Sequence, residues 1–217
     1  MPNNLHPHGS IAAVYRGAAP AKAQGALVLL HGRGAGPADM EALSRVLADD
    51  PPTMAVVLPA AANHSWYPQR FIAPIEANQP YLDSALRVIA QVLTDLQHHG
   101  IPREHIVIGG FSQGACLAAE YLARNPARYG GGLIFSGGLI GPLEMVFPHS
   151  GDLAGTPVFL GCSDQDPHIP VERVHQTHAV LSGMGGTVDR QIYPSLGHAI
   201  NDDEIRRARS VLEGILP

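Results

Sequence analysis

Three widely separated groups have the types and order needed for nucleophilic catalysis: Ser112 in Gly110-Phe111-Ser112-Gln113-Gly114, an aspartate pair in Ser163-Asp164-Gln165-Asp166-Pro167, and His198 in Pro194-Ser195-Leu196-Gly197-His198. A serine hydroxyl is a poor nucleophile by itself. It attacks a carbonyl only when a base takes its proton and an acid holds the base in place. Gly-x-Ser-x-Gly alone is a weak pattern in a chain with 24 glycines, so its surroundings must carry the argument. The apolar run His105-Ile106-Val107-Ile108 leads into it, and Ala115-Cys116-Leu117-Ala118-Ala119 leads out as a helix, which is the strand-turn-helix setting of an exposed nucleophile. Glycines at 110 and 114 are expected because side chains there would collide across so sharp a turn.

The acid and base should then follow in that order, each on a loop after a strand. Asp164 lies nearer the end of the run Val158-Phe159-Leu160. Asp166 precedes a proline, which biases it to an extended conformation, and lies closer to the next predicted helix. We assign Asp166 as the orienting acid and Asp164 to a turn cap. His198 follows the last predicted strand and precedes the last helix, where a base is required. Most of the 12 histidines read as solvated; His175 and His178 form an H-x-x-H with no third ligand nearby, so no metal is assigned, and no organic cofactor is expected. Two backbone amides must stabilise the oxyanion. One is expected from Gln113, directly after the nucleophile, and the other from Arg33 in the glycine-rich turn His31-Gly32-Arg33-Gly34. That turn lacks the lysine and serine or threonine of a phosphate-binding loop.

These groups have to be positioned by a sheet. Short apolar runs recur at 26–30, 54–58, 105–108, 132–135, 157–160 and 188–193, the middle ones nearly continuous, as in parallel strands covered on both faces. Helical patterns alternate with them: Met40, Leu43 and Leu47 after Pro37; Leu82, Leu86, Ile89, Leu93 and Leu96 between Pro80 and Gly100; Val171, Val174, His178 and Leu181 after Pro170; and Ile205, Ala208, Leu212 and Ile215 after the cap Asn201. The order implies a mostly parallel, doubly wound α/β sheet with helices on both faces, in one domain spanning 1–217, with its ligand beyond the carboxyl ends of the strands.

Composition narrows the partners. A net charge of −5 without a lysine or arginine cluster argues against nucleic acid and anionic membrane surfaces, and points to a small molecule. No apolar run is long enough for a membrane span, and MPNNLHPHGS has neither a basic start nor an apolar core, so a cytoplasmic location without integral membrane association is expected. Cys116 and Cys162 are too few for a disulfide framework and read as buried free thiols. The sequence leaves a monomer and a homodimer both open.

Leu30-His31-Gly32-x-Gly34, Gly110-Phe111-Ser112-Gln113-Gly114-Ala115, Asp166-Pro167-x-Ile169-Pro170 and Gly197-His198 together resemble the small, capless α/β-hydrolases of the phospholipase/carboxylesterase and acyl-protein thioesterase group, near the dienelactone hydrolases. The resemblance implies a Ser112-His198-Asp166 triad, an oxyanion hole from the Arg33 and Gln113 amides, and no cap domain. It says less about substrate. Thioesterase members carry Trp-Phe/Tyr-Asp before the long helix, where this chain has Ser65-Trp66-Tyr67-Pro68-Gln69-Arg70-Phe71, and dienelactone hydrolases carry a cysteine where Ser112 stands. The expected activity is hydrolysis of carboxylic esters of short to medium acyl chain. A thioesterase or lysophospholipase with the same triad and a non-catalytic ligand-binding protein are the alternatives. The irregular stretches 59–79 and 136–156 are expected to form the pocket walls, with Trp66, Tyr67 and Phe71 against substrate and Glu76 and His168 at the rim.

Overall fold

The computed structural model describes residues 6–48 and 53–216. Among these, strands β1 (Val14–Gly17), β2 (Gly25–Leu30), β3 (Met54–Leu58), β4 (Ile106–Phe111), β5 (Gly131–Phe135), β6 (Pro157–Ser163) and β7 (Thr187–Tyr193) form one sheet in the order β1-β3-β2-β4-β5-β6-β7. All pairings are parallel except β1 with β3. The helices are α1 (Pro37–Leu47), α2 (Tyr81–His98), α3 (Gln113–Arg124), α4 (Val171–Gly183) and α5 (Asp202–Glu213). This is the α/β-hydrolase fold, and no insertion among the described residues is folded as a cap.

The continuous apolar runs are explained by two cores, one on each face. Along β2, Ala26, Val28 and Leu30 pack with Leu82, Ile89 and Leu93 of α2, Leu117 of α3 and Val174 of α4, whereas Leu27 and Leu29 pack with Met40 of α1 and Ala208 and Leu212 of α5. Each strand residue alternates faces, and both faces are apolar because both are covered. Of the five helices, α5 starts on a side-chain cap. At α5, Asn201 Oδ1 accepts from the Glu204 amide (3.0 Å) and Glu204 Oε2 accepts from the Asn201 amide (2.9 Å), a reciprocal capping box.

Two features depart from the sequence reading. β1 is not expected from the sequence: its four residues are largely exposed, and its pairing across the sheet edge, Val14 opposite Leu58, is a long-range contact that leaves little apolar alternation to detect. β4 runs past Ile108 through Gly109 and Gly110, which pair with Leu29 and Leu30. A side chain at 109 would meet Leu133 Cβ at 2.8 Å, so the glycine is set by close strand packing.

Candidate active site

β4 leads into Ser112, the candidate nucleophile. Ser112 has φ 57° and ψ −118°, between the last residue of the strand and the first of α3. A non-glycine residue there is strained, and the surroundings hold it: its amide donates to Phe135 O (3.0 Å), and its carbonyl accepts from the Cys116 amide (3.0 Å) to begin the helix. A Cβ at Gly110 would lie 2.5 Å from the Gly114 carbonyl carbon, and one at Gly114 would lie 2.2 Å from Leu30 O. Both glycines are therefore demanded by sterics, as the sequence implied. Gly32 packs alongside, where a Cβ would sit 3.4 Å from Ser112 Cβ.

β6 and β7 deliver the other two groups. The Asp166 side chain is fully buried; its Oδ1 accepts from the His168 (2.8 Å) and Ile169 (3.0 Å) amides, and its Oδ2 accepts from His198 Nδ1 at 2.7 Å. Three donors hold this carboxylate in one orientation and fix the proton of His198 on Nδ1, leaving Nε2 to act as a base. Asp164 serves a different purpose. Its Oδ1 accepts from the Ser195 amide at 2.8 Å, tying down the loop that carries His198. The His198 ring lies 4.7 Å from Phe111 and, edge-on, 4.7 Å from His168. Ser112 and His198 line one cleft of about 500 Å³, together with Gly32, Arg33, Gln113, Tyr67 and Phe71. Among the described residues the Arg33 and Gln113 amides have no acceptor on the protein, and Gln113, as the first residue of α3, has none within the helix. The arrangement can deprotonate a hydroxyl and receive an oxyanion at the start of a helix.

Residues 11–216 match the phospholipase/carboxylesterase family. The chain belongs to that family. A solved phospholipase/carboxylesterase from Dyadobacter fermentans is 42% identical, with a TM-score of 0.90 over 97% of this chain and 100% of that one. An acyl-protein thioesterase 1 from Eremothecium gossypii is 29% identical over 88% of this chain and 90% of its own length. A second acyl-protein thioesterase 1, from Debaryomyces hansenii, is 29% identical over 56% of this chain, which spans about half of that relative's length (53%).

The cleft of this family member differs from the sequence expectation in three ways. Trp66 does not face it. The indole is fully buried, its Nε1 donating to His31 O (2.9 Å), with the His31 ring 4.9 Å and the His8 ring 5.6 Å away. A tryptophan brings one polar N–H into the core, and here that N–H closes on the backbone of the turn before Arg33, so the residue anchors the loop. Tyr67 and Phe71, almost wholly buried, do line the cleft, as does His168, whereas Glu76 does not. Finally, 136–156 supplies no cleft wall. The buried Arg173 donates to the carbonyls of Leu139, Gly141 and Pro142, and the buried Glu120 accepts from the Ile140 amide (2.9 Å), which folds that stretch against α3 and α4. The opposite wall is instead Met40 of α1 and Ile169 after β6.

Side chains that the sequence reading passed over hold the wall in place. Gln113 Oε1 accepts from the Trp66 amide (2.9 Å), and its Nε2 donates to Tyr67 O (2.8 Å). The Arg33 guanidinium donates to the carbonyls of Tyr67 (2.9 Å), Pro68 (2.9 Å) and Gln69 (2.6 Å). Two buried histidines accept from consecutive amides, Ala61 to His31 Nε2 (3.1 Å) and Ala62 to His8 Nδ1 (3.0 Å), so both are neutral and burial lowers the pKa of each; His8, which the sequence reading placed in solvent, is instead fully buried because its ring bridges the Trp66 carbonyl and the Ala62 amide. Both cysteines are free and buried, as expected; burial pushes each thiol up to about 12, and for Cys162 the Asp166 carboxylate, with Oδ2 3.8 Å from Sγ, adds to the rise. Among the described residues, no group of three or more histidine, cysteine, aspartate or glutamate side chains is arranged to hold a metal, and no helix is long and apolar enough to cross a membrane.

Proposed function

We propose that this chain hydrolyses carboxylic esters through an acyl-enzyme on Ser112. The observation that carries the reading is the 2.7 Å bond from His198 Nδ1 to a buried, triply hydrogen-bonded Asp166, with the other face of His198 opening on the cleft that holds the strained Ser112. His198 Nε2 takes the Ser112 proton as Oγ attacks the ester carbonyl. The Arg33 and Gln113 amides hold the oxyanion, and the proton passes to the departing alcohol. Water then repeats the sequence on the acyl-enzyme and releases the acid. Asp166 keeps the imidazole in the tautomer this requires.

Tyr67, Phe71 and Phe111 give the cleft its apolar surface, and each buried methylene contributes about 0.8 kcal/mol. In so small and open a cleft the gain ends once the acyl chain passes the wall, so short to medium chains, roughly four to eight carbons, are the best substrates. The partner is a small ester and the site of action is the cytoplasm, in keeping with the net charge of −5 and two free thiols. Because relatives in this family are named acyl-protein thioesterases, thioester cleavage by the same groups is the second reading. Matched ester and thioester substrates separate the two. The decisive test is labelling by a fluorophosphonate together with turnover of a short aryl ester. Both are expected in the wild type and both lost in Ser112→Ala with the circular dichroism spectrum unchanged; turnover surviving in that variant refutes the assignment.

A further inference from the structure

The cleft holds one charged side chain that has no partner among the described residues. Arg70 lines it, is exposed, and its guanidinium has neither an ion-pair nor a hydrogen-bond partner among the described residues. The other charged groups there are committed. Arg33 spends both terminal nitrogens on three carbonyls, and Asp39 accepts from the Gly36 amide (2.7 Å) at the start of α1, where the helix dipole offsets its charge. His198 is on Asp166, and His168 stands edge-on to it.

The backbone that carries Arg70 is fixed on both sides. Its carbonyl accepts from Asn78 Nδ2 (3.2 Å) and the Ala73 amide (3.0 Å), and the Gln69 amide donates to Asn78 Oδ1 (2.8 Å), with Asn78 itself fully buried. On the other side, Phe71 O accepts from the Gly141 amide (2.8 Å). A cation on a hydrogen-bonded stretch that lines the same cleft as Ser112, with its planar donor fork unused, is suited to a carboxylate on the bound molecule.

We propose that Arg70 determines specificity by selecting esters that carry a carboxylate away from the scissile bond. This rests on the Ser112 hydrolysis argued above and adds the substrate class: a monoester of a dicarboxylic acid, or an ester of a carboxylated alcohol.

The test uses two pairs of substrates matched in shape. For the acyl side these are the mono-4-nitrophenyl ester of adipic acid and its neutral methyl-ketone counterpart, 4-nitrophenyl 6-oxoheptanoate. For the alcohol side they are 4-acetoxybenzoate and 4-acetoxybenzamide. The readout is the ratio of kcat/KM for the anionic over the neutral partner, so intrinsic reactivity cancels between variants. In at least one pair Arg70→Gln should lower that ratio by about fivefold to tenfold, Arg70→Glu should lower it further, and Arg70→Lys should retain most of it. In the wild type the ratio should fall as NaCl rises from about 0.02 to about 0.5 M, a measurement that needs no variant. Ratios in both pairs that ignore the substitutions and the salt overturn the assignment of Arg70. Neutral esters that the wild type does not turn over, or that Ser112→Ala still turns over, refute the hydrolase reading instead.

Discussion

Glu204 makes this protein lose stability as pH rises from the acid side towards neutrality. Its side chain is fully buried against β6: a Cβ at Gly161 would lie 2.2 Å from Glu204 Oε1, and that oxygen has no hydrogen-bond partner. Burial raises its carboxyl from 4.5 to about 7, with the nearby Asp203 charge adding to the effect. An acid whose folded pKa is raised contributes its full stability below the unfolded value and loses it as pH climbs to the folded one. A displacement of that size corresponds to ~3 kcal/mol lost between pH 4.5 and about 7. For a chain of this length that is a Tm change on the order of 6 to 12 °C. Glu204→Gln keeps a carbonyl for the Asn201 amide and cannot ionise. Thermal denaturation of both proteins from pH 4.5 to 8 should give curves that diverge steadily, with the variant relatively more stable at the alkaline end. Taking the difference between them cancels every other titrating group. Parallel curves would refute the reasoning, since they would mean that the carboxyl ionises in place without penalty.

Replacing Asp166 with Asn should lower kcat on a short aryl ester by a factor on the order of 10³ to 10⁴, because the amide favours the wrong imidazole tautomer. Asp164→Asn should leave kcat nearly intact and cost about 1 kcal/mol through the weakened bond from the Ser195 amide, as read by urea denaturation; equal kinetic losses would contradict the geometry. Trp66→Ala should lower stability by ~3 to 5 kcal/mol and impair all ester lengths together, since it removes a core anchor and not a contact with substrate; a stable variant with an altered chain-length profile would show the reverse. On the acid side, His8 and His31 are held neutral with lowered pKa values, so stability should be full above their ordinary 6.5 and fall as pH drops below it. The fall is best measured in Glu204→Gln, where the opposing slope is absent, and a Tm that stays flat from pH 6.5 to 4.5 would count against it.

What the sequence made legible was whatever depends on local rules. Short apolar runs, nearly continuous in the middle of the chain, marked six of the seven strands; proline marked the starts of α1, α2 and α4, Asn201 that of α5, and the Gly-x-Ser-x-Gly turn that of α3. Gly110 and Gly114 could be read because a tight turn excludes side chains, and the choice of Asp166 followed from the backbone bias before Pro167. The illegible part lies in side chains that act across long separations. Nothing near Trp66 in the chain says that its N–H will meet His31 O, 35 residues away. An aromatic-rich loop near a glycine turn looks the same whether its rings face substrate or core. Arg173 was hidden for a different reason. A helix pattern is read from its apolar residues, so a buried cation that satisfies three carbonyls of 139–142 registers only as a polar gap in the face.

Arg33 and Gln113 show why the cleft behaves as one unit. Each is assigned to the oxyanion hole by its backbone, a role open to any residue, and each uses its side chain to grip the 65–69 stretch that forms the cleft wall. The wall is in turn anchored by Trp66 to His31, the residue two before Arg33, and His31 accepts from Ala61 at the start of the same loop. The hydrogen bonds therefore tie the His31–Arg33 turn and the first turn of α3 to the same wall. Loss of the Gln113 side chain leaves the Trp66 amide and the Tyr67 carbonyl without these buried partners, each costing about 1 to 3 kcal/mol, whereas the Arg33 bonds are largely exposed and their loss costs less. Under the proposed function, substitutions at Arg33 or Gln113 should therefore disturb the cleft wall even though the proposed oxyanion contacts come from their backbone amides. The side chains of these two residues are accounted for by the wall they hold, and the proposed oxyanion role by their positions in the chain.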